Sequence, residues 1–304
     1  MFRSLAEVRS ALESGQTSIE KITLHYLHTI TEKASLNAFL EVFEKDALEQ
    51  AKKADLNFKS GKPGKLSGMV IGIKDNLCYK GHNVSAASKM LEGFESIYSA
   101  TVVERLIAED AVIIGRLNCD EFAMGSSNEN SAYGPVRHPL NQNLVSGGSS
   151  GGSAVAVAAG LCLATLGSDT GGSIRQPASF CGIVGLKPSY GSVSRWGCIA
   201  YASSFDQVGP LANTVEDCAV ILDVIGGPDE QDATMDQTSL PGFSLGKEHT
   251  GPVKIAYFKE YIDNPALDPE IKERFEKLMS DLKAQGNVVE PVGFPYLEYV
   301  IPTY

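Results

Sequence analysis

One stretch, Ser146 to Pro188, constrains the fold more than any other part of the chain. It reads S-G-G-S-S-G-G-S-A-V-A-V-A-A-G-L-C-L-A-T-L-G-S-D-T-G-G-S-I-R-Q-P-A-S-F-C-G-I-V-G-L-K-P. Two glycine-flanked serines, Ser149 and Ser173, each sit in a tight loop, and an apolar, alanine-rich segment from Ala154 to Leu166 lies between them. Glycine pairs let the backbone approach a ligand and turn its N–H groups inward. Before a helix, such a loop makes an anion or oxyanion site. Asp169-Thr170-Gly171-Gly172-Ser173 places a hydroxyl among free N–H groups, the setting a serine nucleophile needs. A flexible linker shares the composition, but linkers do not run into an alanine-valine segment that ends in a second glycine loop. A phosphate cradle would need the Gly-Lys-Ser/Thr ending, which is missing.

The rest of the chain supplies alternating elements. Ser4-Leu5-Ala6-Glu7 is a capping box for a helix stopping at Gly15, and Thr17-Ser18-Ile19-Glu20 opens a second with Ile19, Ile22, Tyr26 and Ile30 on one face. Asn37 to Phe43 reads as a strand, Asp46 to Asp55 as a helix, and Met69 to Ile73 as a buried strand ending in Lys74-Asp75-Asn76. A helix capped by Thr101-Val102-Val103-Glu104, a strand Ala111 to Gly115 and a polar loop through Asn143 follow. The spacing then predicts a helix after Ser153, a strand Leu163 to Gly167, a short helix from Ser173, a strand Ile183 to Leu186 and a helix Thr214 to Ile225. Pro228 to Thr250 is a loop; beyond it come a strand Val253 to Phe258, a helix capped by Asp268 and Pro269, and a strand Asn287 to Val289. This alternation implies an α/β fold with a mixed, largely parallel sheet covered by helices.

Charge and cysteine usage narrow the function. A net charge of −11 disfavours nonspecific contact with nucleic acid or an anionic membrane. Six cysteines without a C-x-x-C pair indicate neither a zinc nor a redox motif, and suggest buried thiols in a reducing compartment. Asp120 and Glu121 lack the histidine spacing of a metal site, so no metal is expected. No signal-peptide core opens the chain and Ala154–Leu166 is too short to span a bilayer, which points to a cytoplasmic protein without a membrane partner.

None of His25, His28, His82, His138 and His249 neighbours the serine loops. A serine without histidine can use a lysine. A neutral lysine at pH 7 costs roughly 4–5 kcal/mol in water, and burial can shift its pKa by several units. A lysine ending an apolar strand is often a snorkelling surface residue, so the local sequence around Lys74 leaves both readings open. Ser150, Ser153 and Ser168 read as loop or cap hydroxyls. Arg175 reads as a structural partner of Asp169, and both could orient the site.

Gly147 to Ser153, Gly167 to Pro177 and Gly185-Leu186-Lys187-Pro188 closely resemble the amidase signature family. The resemblance implies that family's fold and a triad of Lys74 as base, Ser149 in a cis peptide with Gly148 as relay, and Ser173 as nucleophile. It implies an oxyanion hole from the backbone N–H groups of Thr170, Gly171, Gly172 and Ser173, each donor typically worth about 3 kcal/mol of barrier. Asp120 to Ser127, Asn130 to Pro135, Val193-Ser194-Arg195 and Ala202 to Pro210 look like one branch, the glutaminase subunits of tRNA-dependent amidotransferases. Met124 and Gly125 in the first of these segments are then implied as substrate contacts.

The branch implies glutamine hydrolysis that feeds ammonia to a partner, which uses ATP and Mg to convert Glu-tRNA(Gln) to Gln-tRNA(Gln). This chain would itself need no cofactor, would assemble with subunits B and C, and would meet misacylated tRNA mainly through the partner. One incomplete amidase domain is expected, with N-terminal helices 1–60, a catalytic core 61–227 and the start of a C-terminal part 228–304. Family chains run further and clamp glutamine with downstream groups, so the C-terminal part is expected to be missing and the fragment inactive. A stand-alone amide hydrolase and a non-catalytic remnant are the alternatives.

Overall fold

Short apolar runs in this chain pair side by side because each is buried on both faces. The computed structural model describes residues 2–238, 242–243 and 251–304, in two units, Met1–Leu245 and Gly246–Tyr304. In the first unit, α1 (Leu5–Glu13) and α2 (Ile19–Glu32) start at Ser4 and Ser18, whose hydroxyls accept from the N–H groups of Glu7 and Lys21. Then come β1 (Phe39–Val42), α3 (Glu44–Lys59), β2 (Val70–Lys74), α4 (Thr101–Ala108) and β3 (Val112–Leu117). The glycine-serine stretch forms α5 (Gly151–Ala158), β4 (Ala164–Asp169), α6 (Arg175–Cys181) and β5 (Val184–Gly185). The unit's remaining elements are β6 (Gln207–Ala212) and α7 (Val215–Ile225), the latter capped by Thr214.

The six strands lie in the order β1-β3-β2-β4-β6-β5. The central β3, β2 and β4 are parallel, and β1 and β6 run against them. β5 is antiparallel to β6, so four strands share one direction. Every residue of β2, β3, β4 and β6 is buried, which requires cover on both faces. Helix α5 packs on β4 and β2, α7 on β6, and α3 on β3.

Three sequence expectations change. Thr101 is the first residue of α4 rather than its cap; Ala100 holds the cap position, and the Thr101 hydroxyl donates to Asp229 Oδ2 at 2.6 Å. Strand β6 is absent from the sequence reading because Gly209 and Pro210 interrupt its apolar run. Its Pro210 carbonyl still accepts from Leu186 N–H, and Pro210 sits opposite Leu166. The short helix expected from Ser173 begins two residues later, at Arg175.

The second unit contains β7 (Lys254–Phe258), α8 (Lys259–Ile262), α9 (Pro269–Ala284), β8 (Val288–Val292) and α10 (Leu297–Thr303). β7 and β8 are parallel, and Asp268 caps α9 through Glu270 N–H. Helix α10 is also absent from the sequence reading, because Pro302 lies within it. Of the expected loop 228–250, residues 239–241 and 244–250 lie outside the described residues.

Candidate active site

The parallel strands end together, and a crevice at the carboxyl ends of parallel strands is where α/β sheets gather ligand-facing groups. Lys74 closes β2, Ser168 and Asp169 close β4, and Asn118, Cys119 and Asp120 follow β3. The pairing sets Lys74 against Leu117 and Ile73 against Leu166. Residues far apart in sequence therefore meet at one level of the sheet.

Lys74 is completely buried. Its Nζ lies 2.7 Å from Ser149 Oγ and 2.9 Å from Ser168 Oγ. Among the described residues these two hydroxyls are its hydrogen-bond partners, and no carboxylate pairs with it. An ammonium presents three N–H groups, so two hydroxyls leave it one short. A neutral amine fits the same partners with two donors and a lone pair. Burial lowers the Lys74 pKa from its ordinary value of 10.5. Cys119 and Cys198 would oppose that shift only as thiolates, and burial pushes both thiols up, Cys198 to about 12. Asp120 and Asp169 are then the nearby anions that still favour the ammonium.

Ser149 is equally buried, and the Gly148–Ser149 peptide is cis. Gly148 N–H donates to Gln176 Oε1 at 3.0 Å, while Gln176 Nε2 donates to the Ser126 carbonyl at 2.7 Å. A Cβ on Gly148 would meet Asp120 Oδ2 at 2.1 Å, which is why a glycine stands there. The buried Asp120 in turn accepts from Asn128 N–H at 3.0 Å and Asn130 N–H at 3.1 Å, folding the loop from 120 to 130 around itself. Burial raises the Asp120 pKa against those two hydrogen bonds.

The second serine loop is wound around Asp169. Its carboxylate accepts from Gly172 N–H at 2.9 Å, Ile174 N–H at 3.1 Å and the Arg175 guanidinium at 3.0 and 3.1 Å. Burial pushes this carboxyl up, but the Arg175 and backbone bonds outweigh it and hold it below its ordinary value. The pairing of Arg175 with Asp169 read from the sequence is therefore present. Ser150 N–H donates to the Ser173 carbonyl at 3.2 Å and joins the two loops.

Ser173 is 6% exposed, and among the described residues its hydroxyl has no hydrogen-bond partner, Ser149 included. Of the four N–H groups expected in an oxyanion hole, that of Gly172 is already committed to Asp169. Those of Gly171 and Ser173 have no acceptor among the described residues. Thr170 uses its hydroxyl to donate to Asp206 Oδ1 at 2.7 Å. Met124 is 61% exposed on the rim of the Asp120 loop, and Gly125 packs on the Asp120 carboxylate.

Sequence reasoning missed two partners. Ser168, read as a cap hydroxyl, touches Lys74; Asn76 Nδ2 donates to Ser168 Oγ at 3.0 Å. A hydrophilic Asn76 directly after an apolar strand and beside Lys74 was the available signal. Ser150 and Ser153 keep the bland role: their hydroxyls donate to the Ser168 and Leu166 carbonyls. The histidines are elsewhere. His82 pairs with Asp46, His28 with Glu32, and His138 bonds the Phe180 carbonyl, while His249 lies outside the described residues. Among the described residues no group of three or more His, Cys, Asp and Glu is placed to hold a metal, all six cysteines are free, and no helix is long and apolar enough to cross a membrane.

The sequence model of the family described as Amidase matches residues 21–304. The chain is 48% identical over 306 residues to the A subunit of glutamyl-tRNA(Gln) amidotransferase from Chlorobium phaeobacteroides, covering 100% of this chain and 64% of that protein. It is 47% identical over 305 residues to the protein of that name from Salinibacter ruber, covering 100% and 59%. The structure of the A subunit of glutamyl-tRNA(Gln) amidotransferase from Thermotoga maritima superposes with a TM-score of 0.83 at 41% identity, covering 94% of this chain and 61% of that one. The native peptide amidase of Stenotrophomonas maltophilia gives 0.84 at 32% identity, covering 95% and 62%. The chain thus spans less than two thirds of the length of these relatives.

Proposed function

The chain belongs to the amidase family, and from that premise we propose that it is the glutaminase subunit of a tRNA-dependent amidotransferase. The observation that carries the chemistry is the fully buried Lys74 amine, held by two hydroxyls and no carboxylate, beside a serine loop with an accessible Ser173. Neutral Lys74 takes the Ser149 proton, Ser149 takes that of Ser173, and Ser173 Oγ attacks the glutamine carboxamide carbon. Backbone N–H groups of the 170–173 loop stabilise the oxyanion, with Gly171 and Ser173 free to donate at once. Gly172 N–H contributes by turning from Asp169 or by being shared with it. Collapse breaks the C–N bond, and the proton returns through Ser149 to the departing ammonia. Water then hydrolyses the acyl-enzyme to glutamate. Asp169 and Arg175 hold the loop in shape, and Met124 and Gly125 border the substrate.

The partner assignments follow the relatives' names. The chain would work in the cytoplasm with subunits B and C, and would need no cofactor of its own. The partner would spend ATP and Mg on activating glutamate carried by Glu-tRNA(Gln), and would hold most of the tRNA. The acidic charge of −11 suits that division. The test is glutamine hydrolysis by the assembled amidotransferase, wild type against Ser173→Ala, with ammonia measured directly. Loss of ammonia release with retained use of added ammonium supports the reading, and unchanged glutamine hydrolysis overturns it. The resemblance to peptide amidase supports a second reading, a stand-alone amide hydrolase. Turnover of simple aliphatic amides at rates matching glutamine would favour that one.

A further inference from the structure

The residue next to the base has no role in the relay just described, and its position is unusual. Asn76 is 1% exposed at the mouth of the sheet. Its Nδ2 reaches Ser168 Oγ at 3.0 Å, and lies 3.4 Å from Cys198 Sγ and 3.5 Å from the Ile199 carbonyl. Its Oδ1 is buried with no partner. A buried amide oxygen without a partner carries a desolvation cost of about 1–3 kcal/mol, so the fold keeps an amide here despite that cost.

We propose that Asn76 is a positioning residue for the base, acting through Ser168 and holding Lys74 neutral and aimed at Ser149. Nδ2 is a donor, so Ser168 Oγ receives a hydrogen bond from the side away from Lys74. The serine is thereby fixed at 2.9 Å from Nζ, where it can take an amine N–H and leave the lone pair for the proton of Ser149. The amide also adds no charge. The groups facing Lys74 are the hydroxyls of Ser149 and Ser168, the protonated thiols of Cys119 and Cys198, and the carboxylates of Asp120 and Asp169. Arg175 offsets Asp169, and the neighbouring Asp75 carboxylate is taken up by Arg116, Ser85 and the Ala87 N–H. A carboxylate at position 76 would sit one hydroxyl away from Nζ and favour the ammonium, the form that cannot accept a proton.

This inference rests on the proposed role of Lys74, so the experiment separates the two. Glutamine kcat/KM of the assembled amidotransferase is measured against pH for wild type, Asn76→Asp, Asn76→Leu, Ser168→Ala, Asn76→Leu/Ser168→Ala and Lys74→Ala. Asn76→Asp is expected to move the acid limb upward by a pH unit or more, lowering the neutral-pH rate about tenfold and regaining it at high pH, with KM within about twofold. Asn76→Leu and Ser168→Ala should each lose about tenfold, and the double variant should be no worse than the poorer single, since both act on one path. An unmoved limb in Asn76→Asp overturns the proposal, as does simple multiplication of the two single losses. If Asn76→Asp does not fold, the double-variant comparison decides alone. Activity retained by Lys74→Ala would sink the reading of the base itself. A dead Lys74→Ala with an unmoved Asn76→Asp limb sinks only the inference about Asn76.

Discussion

Replacing Lys74 by methionine should stabilise the fold and abolish the chemistry, and the pH dependence of the stability measures the state of the amine. In the folded chain burial lowers the Lys74 pKa from 10.5. On unfolding the amine regains its ordinary pKa and binds a proton. Between the lowered folded value and about 10.4 the unfolded state therefore holds more protons, and wild-type stability rises with pH by up to about 1.4 kcal/mol per unit. Below the folded pKa the penalty is present in full and the curve is flat. Methionine has a similar length and cannot titrate. It leaves the Ser149 hydroxyl without its lysine partner at about 1–3 kcal/mol, but that cost does not vary with pH. The stability of Lys74→Met relative to wild type should thus be greatest near neutrality and shrink as pH rises. Urea denaturation at a series of pH values reads this through the fluorescence of Trp196, the chain's one tryptophan, which lies in the same unit as Lys74. A difference that stays constant from neutrality to about pH 10 would mean that Lys74 remains an ammonium in the fold and cannot be the base.

Three further outcomes are expected. Lys74→Arg should lose nearly all acylation of Ser173 in the assembled enzyme, because a guanidinium does not deprotonate near neutrality; Ser149→Ala should keep more activity than Ser173→Ala, which burst-phase ammonia release would show. Asp169→Asn should release the 170–175 loop and lower stability by about 2–4 kcal/mol, through the lost ion pair and backbone acceptors. Because the Asp169 pKa is lowered in the fold, this stabilisation is present above the unfolded carboxyl pKa of about 3.9 and disappears as pH falls through the folded value, so variant and wild type should converge in acid denaturation. Gly152→Ala should fail to fold or lose at least about 3 kcal/mol in thermal melts, since its Cβ would lie 2.3 Å from the Asn118 carbonyl oxygen and 2.7 Å from that of Ala38.

Local chemistry alone determined much of this protein. Ser4, Ser18, Thr214 and Asp268 announce helix starts because capping needs one hydroxyl or carboxylate a few residues from an N–H. The five-residue apolar run ending in Lys74 announces a buried strand, and the paired glycines around Ser149 and Ser173 announce close-packed loops, because both signals lie within a few residues. Other features depend on which strand lies beside which. Ser168 has the same local surroundings whether it caps a loop or holds a base; only the parallel pairing of β2 and β4 brings it to Lys74, 94 positions away. Asp120 carries the same charge whether it faces water or supports Gly148; the end of β3 beside β2 buries it. Strand β6 keeps Gly209 and Pro210 in its middle because β4 and β5 flank it, a context no window of sequence contains. The residue types were legible because their preferences act locally, whereas the contacts that give them chemistry form only when the strand ends converge.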